Sequence, residues 1–426
     1  MKYVNELIQE LENGQWEERL KEIYVDEQMI PYQKERYIDA LHSYKSTFSN
    51  EEVEIYSAPG RSEIGGNHTD HQHGEVLAAS VNLDAIAVVS KHTEAKVQLF
   101  SKGYGMLEVD LHDLEAKKEE EGTSVGLIRG MAYGLKKNGH SIGGFKAYVT
   151  SDIVNGAGLS SSAAFEVLIG TILSGLYNNM SISPVEIAKM AQFAENVYMG
   201  KPSGLMDQMA CSVGGLIHID FKDITMPLVQ KVDVDFSSFG YSLCITDTKG
   251  SHADLTPEYA AVPSEMKQIA HFFGKEFLRE VNPVDFYQNI AELRKNTGDR
   301  PVLRALHFFE ENGRVEGQVK ALQEGKFPKF LDLIERSGQS SYQYLQNVYT
   351  NQDVNSQAVS IGLAVSETIL GDKGVCRVHG GGFAGTIQAF VANDFVETYR
   401  STLDGVFGEG SCHVLKVRPW GGILVK

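Results

Sequence analysis

The sequence predicts an α+β fold, in which helices and strands follow one another in irregular blocks. Three observations support this: an amphipathic N-terminal segment, a first half rich in valine and isoleucine strands, and a mostly helical stretch at 256–345 that is followed by strands. Because the order of helices and strands does not repeat, it favours a mixed architecture over a regular βαβ series.

The N-terminal segment 3–46 is predicted to be helical. It begins with apolar residues at the spacing of one helix face, namely Val4, Leu7, Ile8 and Leu11. The stretch VEIYSAP at 53–59 predicts a strand that ends at its proline, and 77–103 predicts further strands. We expect a helix up to about Leu135 and a strand at 144–153.

A second helix is predicted at 181–200 from its end signals. Ser183 suits the N-cap and Pro184 the first helical position, Glu186 is placed to complete a capping box, and Gly200 is placed to end the helix. A strand at 214–221 follows. Near the C-terminus, 374–393 predicts strand, glycine turn and strand, and the chain closes in further strands.

The charge and cysteine content narrow the class of protein. The 426 residues carry a net charge of −17, which disfavours nucleic acid and anionic membranes as partners. The four cysteines form no CxxC pair, as expected for buried thiols in a reducing compartment. The N-terminus lacks the apolar core of a signal peptide, and the longest apolar run, near 163–177, is too short for a membrane span. We therefore expect a cytoplasmic protein.

The stretch NGAGLSSSAA at 155–164 has the composition of a phosphate-binding loop. Its glycines allow close backbone approach, and the helix that follows presents free N–H groups to an anion. It is not a Walker A loop, and by itself it is equally consistent with a turn that caps a core helix. The candidate ATP-binding residues are Gly156, Ala157, Gly158, Leu159, Ser160, Ser161 and Ser162.

The stretch APGRSEIGGNHTDHQHG at 58–74 allows three interpretations: a metal site, a phosphate loop or a sugar pocket. His68, His71 and His73 suggest zinc, but the chain offers no second ligand cluster, so a zinc site is disfavoured. A third glycine-rich stretch, RVHGGGFAGT at 377–386, predicts a hairpin whose backbone can lie close to a ligand.

Taken together and in this order, the three stretches resemble the three motifs of the GHMP kinases. The first is similar to the galactokinase signature G-R-x-N-x-I-G-E-H-T-D-Y. Two further segments resemble that branch, ENVYMGKPSGLMDQ at 195–208 and HADLTPEY at 252–259. The resemblance covers the chain from about Tyr56 to its end.

The resemblance implies a fold of two α+β lobes with the active site between them. The first lobe is expected to be like domain 2 of ribosomal protein S5, at 51–220, with a helical extension at 1–50. The second is expected to be ferredoxin-like, at 221–426. The implied activity is that of an ATP-dependent sugar 1-kinase that uses Mg²⁺, most simply on galactose, as a monomer or weak homo-oligomer.

The resemblance also assigns roles to residues. Asp207 is the implied proton acceptor and Arg61 its partner, which suits a carboxylate whose neighbours are apolar. Ser162 and Glu195 are the implied Mg²⁺ ligands, and helical phase places Glu195 at the edge of an apolar stripe. The implied sugar-binding residues are Asn67, His68, Asp70, Gly204 and Tyr259.

Several positions depart from the signature. The family has asparagine, glutamate and tyrosine where this chain has Glu63, Asn67 and His71. The glutamate that Asn67 replaces is implied to contact the 6-hydroxyl, so its loss leaves two sugars open, galactose and galacturonate. A catalytically inactive sugar sensor is the alternative of another class. The intact serine loop with Arg61, Glu195 and Asp207 favours the enzyme.

Overall fold

The computed structural model describes residues 1–153, 158–201, 203–250 and 255–426. The N-terminal elements are β1 (Lys2–Tyr3), α1 (Val4–Glu12), α2 (Glu17–Tyr24), α3 (Ile30–Thr47), β2 (Glu52–Gly65), β3 (Glu75–Lys91), β4 (Lys96–Ser101), β5 (Gly105–Asp110), α4 (Ser124–Lys137), β6 (Phe145–Ser151), α5 (Ser161–Asn178), α6 (Pro184–Val197), α7 (Met206–Val213), β7 (Leu216–Asp220) and β8 (Leu228–Lys231).

The C-terminal part is richer in helix. Its elements are β9 (Tyr241–Asp247), α8 (Thr256–Phe272), α9 (Pro283–Gln288), α10 (Ile290–Thr297), α11 (Asp299–Gln323), α12 (Phe327–Ser340), α13 (Ala358–Leu370), β10 (Gly374–His379), β11 (Thr386–Ala392), α14 (Val396–Phe407), β12 (Cys412–Leu415) and β13 (Ile423–Leu424).

The larger sheet forms the middle layer of a helix–sheet–helix sandwich. Among the described residues it has nine strands, with β2 and β3 as its long antiparallel pair. Ile55 on β2 packs with the N-terminal helices α1 to α3, whereas its neighbour Tyr56 belongs to the core that contains α4 to α6. Successive strand residues point to opposite faces, and both faces are covered, so the strands are apolar almost throughout.

The smaller sheet belongs to the second lobe. In the described part of the chain it has four strands in the order β10-β11-β9-β12. Helices α13 and α14 pack against this sheet and form a hydrophobic core with it. The C-terminus then returns to the first lobe, where β13 pairs with β2. The prediction was a second lobe that runs without interruption over 221–426. The structure differs from this prediction, because both β8 and β13 pair within the larger sheet.

The α+β fold class is confirmed, while two local predictions were wrong. The segment 3–46 is helical, as predicted, and divides into the three helices α1 to α3. The strand that begins at Glu52 continues through Pro59 to Gly65, because a register shift between Pro59 and Arg61 accommodates the proline. Ser183 caps α6 as predicted, but the side chain of Glu186 accepts a hydrogen bond from His140. Within the described residues, no helix is long and apolar enough to cross a membrane.

Candidate active site

A buried arginine and a carboxylate form the centre of the candidate site. Arg61 lies on β2 and donates from Nε to Oδ1 of Asp207 at 2.6 Å and from Nη2 to Oδ2 at 2.7 Å. Asp207 lies in the first turn of α7, and 146 residues separate the two in sequence. The structure brings this predicted pair together in the bidentate geometry that makes such pairs strong.

Asp207 is held ionised although it lies in an apolar region. Burial favours the neutral acid, but Arg61 and the hydroxyl of Ser160 favour the carboxylate more, so the pKa of Asp207 is lowered. The side chain of Asp207 is nevertheless 32% exposed, against 8% for Arg61. A charged carboxylate therefore faces the pocket and is accessible from it.

The glycine-serine loop lies directly against this pair. Gly158 adopts φ +65°, and its carbonyl accepts a hydrogen bond from Nη1 of Arg61. The carbonyl of Leu159 accepts from the Arg61 amide at 3.1 Å. Gly60 has no room for a side chain, since a Cβ there would come within 2.8 Å of that same carbonyl. Of the predicted loop, Gly156 and Ala157 lie outside the described residues.

His68 in the pocket lining and Ser160 beside Asp207 adopt the left-handed conformation that favours glycine, at φ 60° and 55°. Such conformations persist only where surrounding contacts enforce them, and they are typical of ligand-binding sites. Ser160 shows the reason directly, because its turn at the start of α5 directs the hydroxyl to Oδ2 of Asp207.

Glu195 is the second acidic centre and is buried, not solvated. Its Oε1 accepts from Lys201 Nζ at 2.6 Å and lies 3.4 Å from the donating hydroxyl of Ser162, while Oε2 accepts from Gln208 at 2.7 Å. Burial disfavours the ammonium of Lys201, but Glu195 outweighs it and raises the pKa of Lys201. The predicted Ser162–Glu195 pair is thus present, and a positive charge already lies beside it.

An open pocket of about 220 Å³ connects the two acidic centres. Side chains and backbone from both lobes line it. The lining residues are Arg61, Glu63, His68, Asp70, His71, Glu195, Lys201, Ser203, Gly204, Met206, Asp207, Gly380 and Gly381.

Three predicted sugar-binding residues line this pocket. His68 donates from Nε2 to the carbonyl of Gly381 at 3.0 Å, which leaves Nδ1 as an acceptor. Burial and the neighbouring His71 lower the pKa of His68 to about 4, so its ring is neutral at physiological pH. Gly204 allows Asp70 to approach, since a Cβ at position 204 would lie 2.3 Å from Oδ2 of Asp70.

Asn67 lies elsewhere than predicted. Its side chain is fully buried behind the pocket wall and is absent from the lining. The amide nitrogen donates to Glu63 Oε1 at 3.1 Å and to the Gly380 carbonyl at 2.7 Å. The amide oxygen accepts from Ser341 and Asn347. These four protein partners satisfy the side chain, so the geometry does not support direct sugar contact by Asn67.

Tyr259 lies on α8 against the glycine hairpin of the second lobe. Its hydroxyl donates to the carbonyl of Gly382 at 2.8 Å, and burial raises its pKa to about 12. A Cβ at Gly381 would lie 2.8 Å from the tyrosine ring, so only glycine allows this contact. Residues 252–254 of the predicted segment HADLTPEY lie outside the described residues, and the role of Tyr259 over the sugar stays a prediction.

The other histidines of the first motif, His71 and His73, lie near other rings. His73 stacks on Phe277 with ring centroids 3.7 Å apart. In the ranges that the structure describes, no group of three or more histidine, cysteine and acidic residues is arranged to hold a metal.

Sequence reasoning missed two charged residues of the pocket. Glu63 and Lys201 line it, although neither was predicted to do so. Lys201 could have been found from its position just after α6, the helix that carries Glu195. Glu63 could have been found from strand periodicity, because residues 61 and 63 point to the same face of β2.

Two family models match the chain. The model described as "GHMP kinases N terminal domain" matches residues 126–215, and the "Galactokinase galactose-binding signature" matches residues 42–91. The second model spans β2, the first motif and β3. These elements position Arg61, His68 and Asp70.

Curated proteins and solved structures agree with the family models. The chain is 30% identical to a galactokinase of Glaesserella parasuis serovar 5 over 81% of this chain and 87% of that protein. It is similar to the crystal structure of Lactococcus lactis galactokinase complexed with galactose, with TM-score 0.76, 26% identity, and coverage of 90% and 98%. The mevalonate kinase of Methanococcus jannaschii shares the fold, with TM-score 0.61 and 15% identity over 86% of this chain and 98% of that one.

Proposed function

The chain belongs to the galactokinase family, and on that premise we propose that it transfers the γ-phosphoryl group of ATP to the C1 hydroxyl of galactose. The observation that carries the proposal is an ionised Asp207 that is paired with Arg61, touches the serine loop and still faces an open pocket. The products are galactose 1-phosphate and ADP.

Asp207 is the proposed proton acceptor. The sugar hydroxyl gives its proton to a carboxylate oxygen of Asp207, and the hydroxyl oxygen forms the new bond to the γ-phosphorus while the bond to the leaving ADP breaks. Arg61 keeps Asp207 ionised before the reaction and offsets negative charge as the phosphoryl group moves. Positioning and electrostatics supply most of the catalysis in phosphoryl transfer.

The start of α5 is the proposed phosphate site. Free backbone N–H groups and the positive end of the helix dipole meet there, next to the hydroxyls of Ser160, Ser161 and Ser162. The proposed ATP-binding loop also includes Gly156 and Ala157. Lys201 adds a cation to the lining of the pocket. These features create positive potential locally in a protein whose overall charge repels ATP.

Ser162 and Glu195 fit a Mg²⁺ site. A hydroxyl and a carboxylate are hard oxygen ligands, and Mg²⁺ in kinases uses one or two protein oxygens together with the phosphates of the nucleotide. The cation beside Glu195 in this structure is the ammonium of Lys201, and this contact supports the proposal of a cation site at the carboxylate. When bound, Mg²⁺ neutralises charge on the nucleotide phosphates.

His68, Asp70 and Gly204 form the proposed sugar side of the pocket. The free Nδ1 of His68 and the carboxylate of Asp70 accept hydrogen bonds from ring hydroxyls. Gly204 keeps the space around Asp70 open. Galactose is the proposed sugar because the Lactococcus lactis relative was crystallised with it.

The test is ADP release by the purified protein with ATP, Mg²⁺ and a panel of sugars, with the phosphorylated position assigned by phosphorus NMR. We expect turnover with galactose and a phosphate at C1. The absence of turnover with galactose, combined with turnover of another sugar, would replace the proposed substrate. Sugar binding without turnover of any sugar would favour the sensor.

A further inference from the structure

Glu63 and Asn67 make direct contact in the structure. Asn67 Nδ2 lies 3.1 Å from Oε1 and 3.4 Å from Oε2 of Glu63. In the signature that this chain resembles, position 63 carries asparagine and position 67 carries glutamate. The chain therefore keeps one carboxylate and one carboxamide at this place but exchanges their positions.

Only one member of the exchanged pair faces the pocket. Asn67 is fully enclosed, whereas Glu63 lines the pocket beside His68 and Asp70. The carboxylate at this end of the pocket is thus supplied from β2 and not from the loop that follows it.

The Glu63 carboxylate is fixed in place. Arg377 is fully buried on β10 and donates from Nη2 to Oε1 of Glu63. Its Nη1 and Nε donate to the carbonyls of Ile64 and Val378. Burial raises the pKa of Glu63, and Arg377 and Arg61 oppose this rise. Arg377 bonds Oε1 and does not line the pocket, whereas the described residues give Oε2 a single, longer hydrogen bond from Asn67 at 3.4 Å, so Oε2 keeps the capacity to accept from a ligand hydroxyl.

The position of Glu63 along β2 tells which part of the sugar it meets. Arg61 and Glu63 pair in register with Ser80 and Ala78, so both side chains leave the same face of the strand. Two residues of strand span roughly 6.6 Å, about the width of a hexose ring. A sugar whose reacting hydroxyl lies at Asp207, beside Arg61, therefore presents its remote end to Glu63.

The pocket lining is unfavourable for an anionic sugar. Four carboxylates line it (Glu63, Asp70, Glu195 and Asp207), against two cations, Arg61 and Lys201. Both cations are engaged with acids. A carboxylate on the remote end of the sugar would lie near the Glu63 carboxylate and be repelled by it. Neither cation of the lining is left to neutralise that sugar carboxylate.

We propose that Glu63 is a specificity-determining residue, which accepts a hydrogen bond from a neutral hydroxyl at the remote end of the sugar and excludes sugars that carry a carboxylate there. The inference rests on the proposed function and decides between its two candidate sugars in favour of galactose over galacturonate. Repulsion of the wrong ligand, as well as attraction of the right one, produces such selectivity.

The test compares kcat/KM for galactose and galacturonate, with ATP, in the wild type and in Glu63→Gln. We expect the wild type to prefer galactose and the preference to fall at least about tenfold in the variant. The control is Glu409→Gln, at an exposed glutamate outside the pocket, which should leave the preference unchanged. A wild type that prefers galacturonate, or a preference unchanged in Glu63→Gln, would overturn the inference.

Removing the Glu63 charge leaves Arg377 buried without a carboxylate, so this variant is at risk of misfolding. Glu63→Asn combined with Asn67→Glu avoids the problem, because one carboxylate stays near Arg377. We expect the combined variant to retain galactose activity within about tenfold of the wild type. Its activity should also be higher than the value obtained by multiplying the fractional activities of the two single variants. Additive effects would overturn the inference.

Calorimetric titration of each sugar without ATP separates this inference from the proposed function. A wild type that binds galactose but does not phosphorylate it contradicts the kinase proposal alone, and the binding preference still tests Glu63. Equal sugar preference in wild type and Glu63→Gln contradicts the inference alone. A wild type that binds neither sugar contradicts both.

Discussion

Two aspartates in the first lobe are paired with arginine, but their surroundings differ. Asp207 has Arg61 as its arginine partner and is 32% exposed. Asp84 on β3 has two, Arg36 from α3 and Arg418 from the C-terminal segment, and is fully enclosed.

Both carboxylate oxygens of Asp84 accept hydrogen bonds from buried side chains. Arg36 donates to Oδ1 at 2.7 Å, Arg418 to Oδ2 at 2.8 Å, and Tyr24 to Oδ2 at 2.9 Å. Three separate segments of the chain thereby meet on one carboxylate, which ties the N-terminal helices and the C-terminus to the larger sheet.

The comparison teaches that pairing with arginine is not by itself a sign of catalysis. Both carboxylates have a lowered pKa in spite of burial, because their arginine partners favour the charged form. Only Asp207 has a face left over for a ligand. The following experiments test whether that difference separates chemistry from stability.

Asp207→Asn should cause the largest loss of activity. The amide cannot accept the sugar proton, and removal of a general base usually lowers kcat by about 10²- to 10⁴-fold. Steady-state kinetics measures the loss, while urea unfolding should show a much smaller change. The control is Asp394→Asn at an exposed aspartate. Near-normal turnover of Asp207→Asn would rule out the proposed role.

Asp84→Asn should give the reverse result. It leaves two arginines buried with reduced compensation, and breaking such a buried pair costs about 3–5 kcal/mol of unfolding free energy. Turnover per folded molecule should stay close to that of the wild type, because Asp84 does not line the pocket. A variant with unchanged stability but lost activity would show that the two centres are not separate.

Ser162→Ala and Glu195→Gln should each increase the Mg²⁺ concentration needed for half-maximal activity. Each change removes an oxygen ligand or its charge, and we expect a larger shift for Glu195 because the charge is lost. Glu186→Gln is the matched control on the same helix. Identical Mg²⁺ titrations for all four proteins would remove Ser162 and Glu195 from the metal site.

Arg61→Lys should have the smallest effect of these substitutions. It should still distinguish the Asp207 centre from the Asp84 centre. Lysine keeps the charge but not the bidentate geometry, so it should lower the pKa of Asp207 less than arginine does. Because Asp207 must be ionised to accept the proton, activity should be lost at a higher pH than in the wild type as the solution is acidified. The pH dependence of kcat/KM measures this shift.

The Asp84 centre supplies the control for that experiment. Arg36→Lys lies outside the pocket and should leave the acid side of the profile where it is in the wild type. A profile that moves in Arg36→Lys, or moves to lower pH in Arg61→Lys, would contradict the assignment of the titrating group to Asp207.

Local patterns in the sequence determined the fold class and most helix and strand locations. Side-chain alternation, helical periodicity and caps such as Ser183 act over a few residues, so they are visible without the tertiary structure. The glycine-serine loop also followed from the sequence, because its composition is that of a phosphate-binding loop, and the pairing of Arg61 with Asp207 followed from the resemblance to the galactokinase motifs.

The tertiary structure alone decided which side chain of the first motif reaches the pocket. Asn67 is turned away because Gly380, Ser341 and Asn347 of the second lobe satisfy its amide, and Glu63 is held in the wall by Arg377, 314 residues away in sequence. Hydrogen bonds between distant segments depend on how the two lobes pack, and no local pattern encodes them. For the same reason the sequence identified Asp207 as important but did not show that Asp84, which is also paired with arginine, would be closed to any ligand.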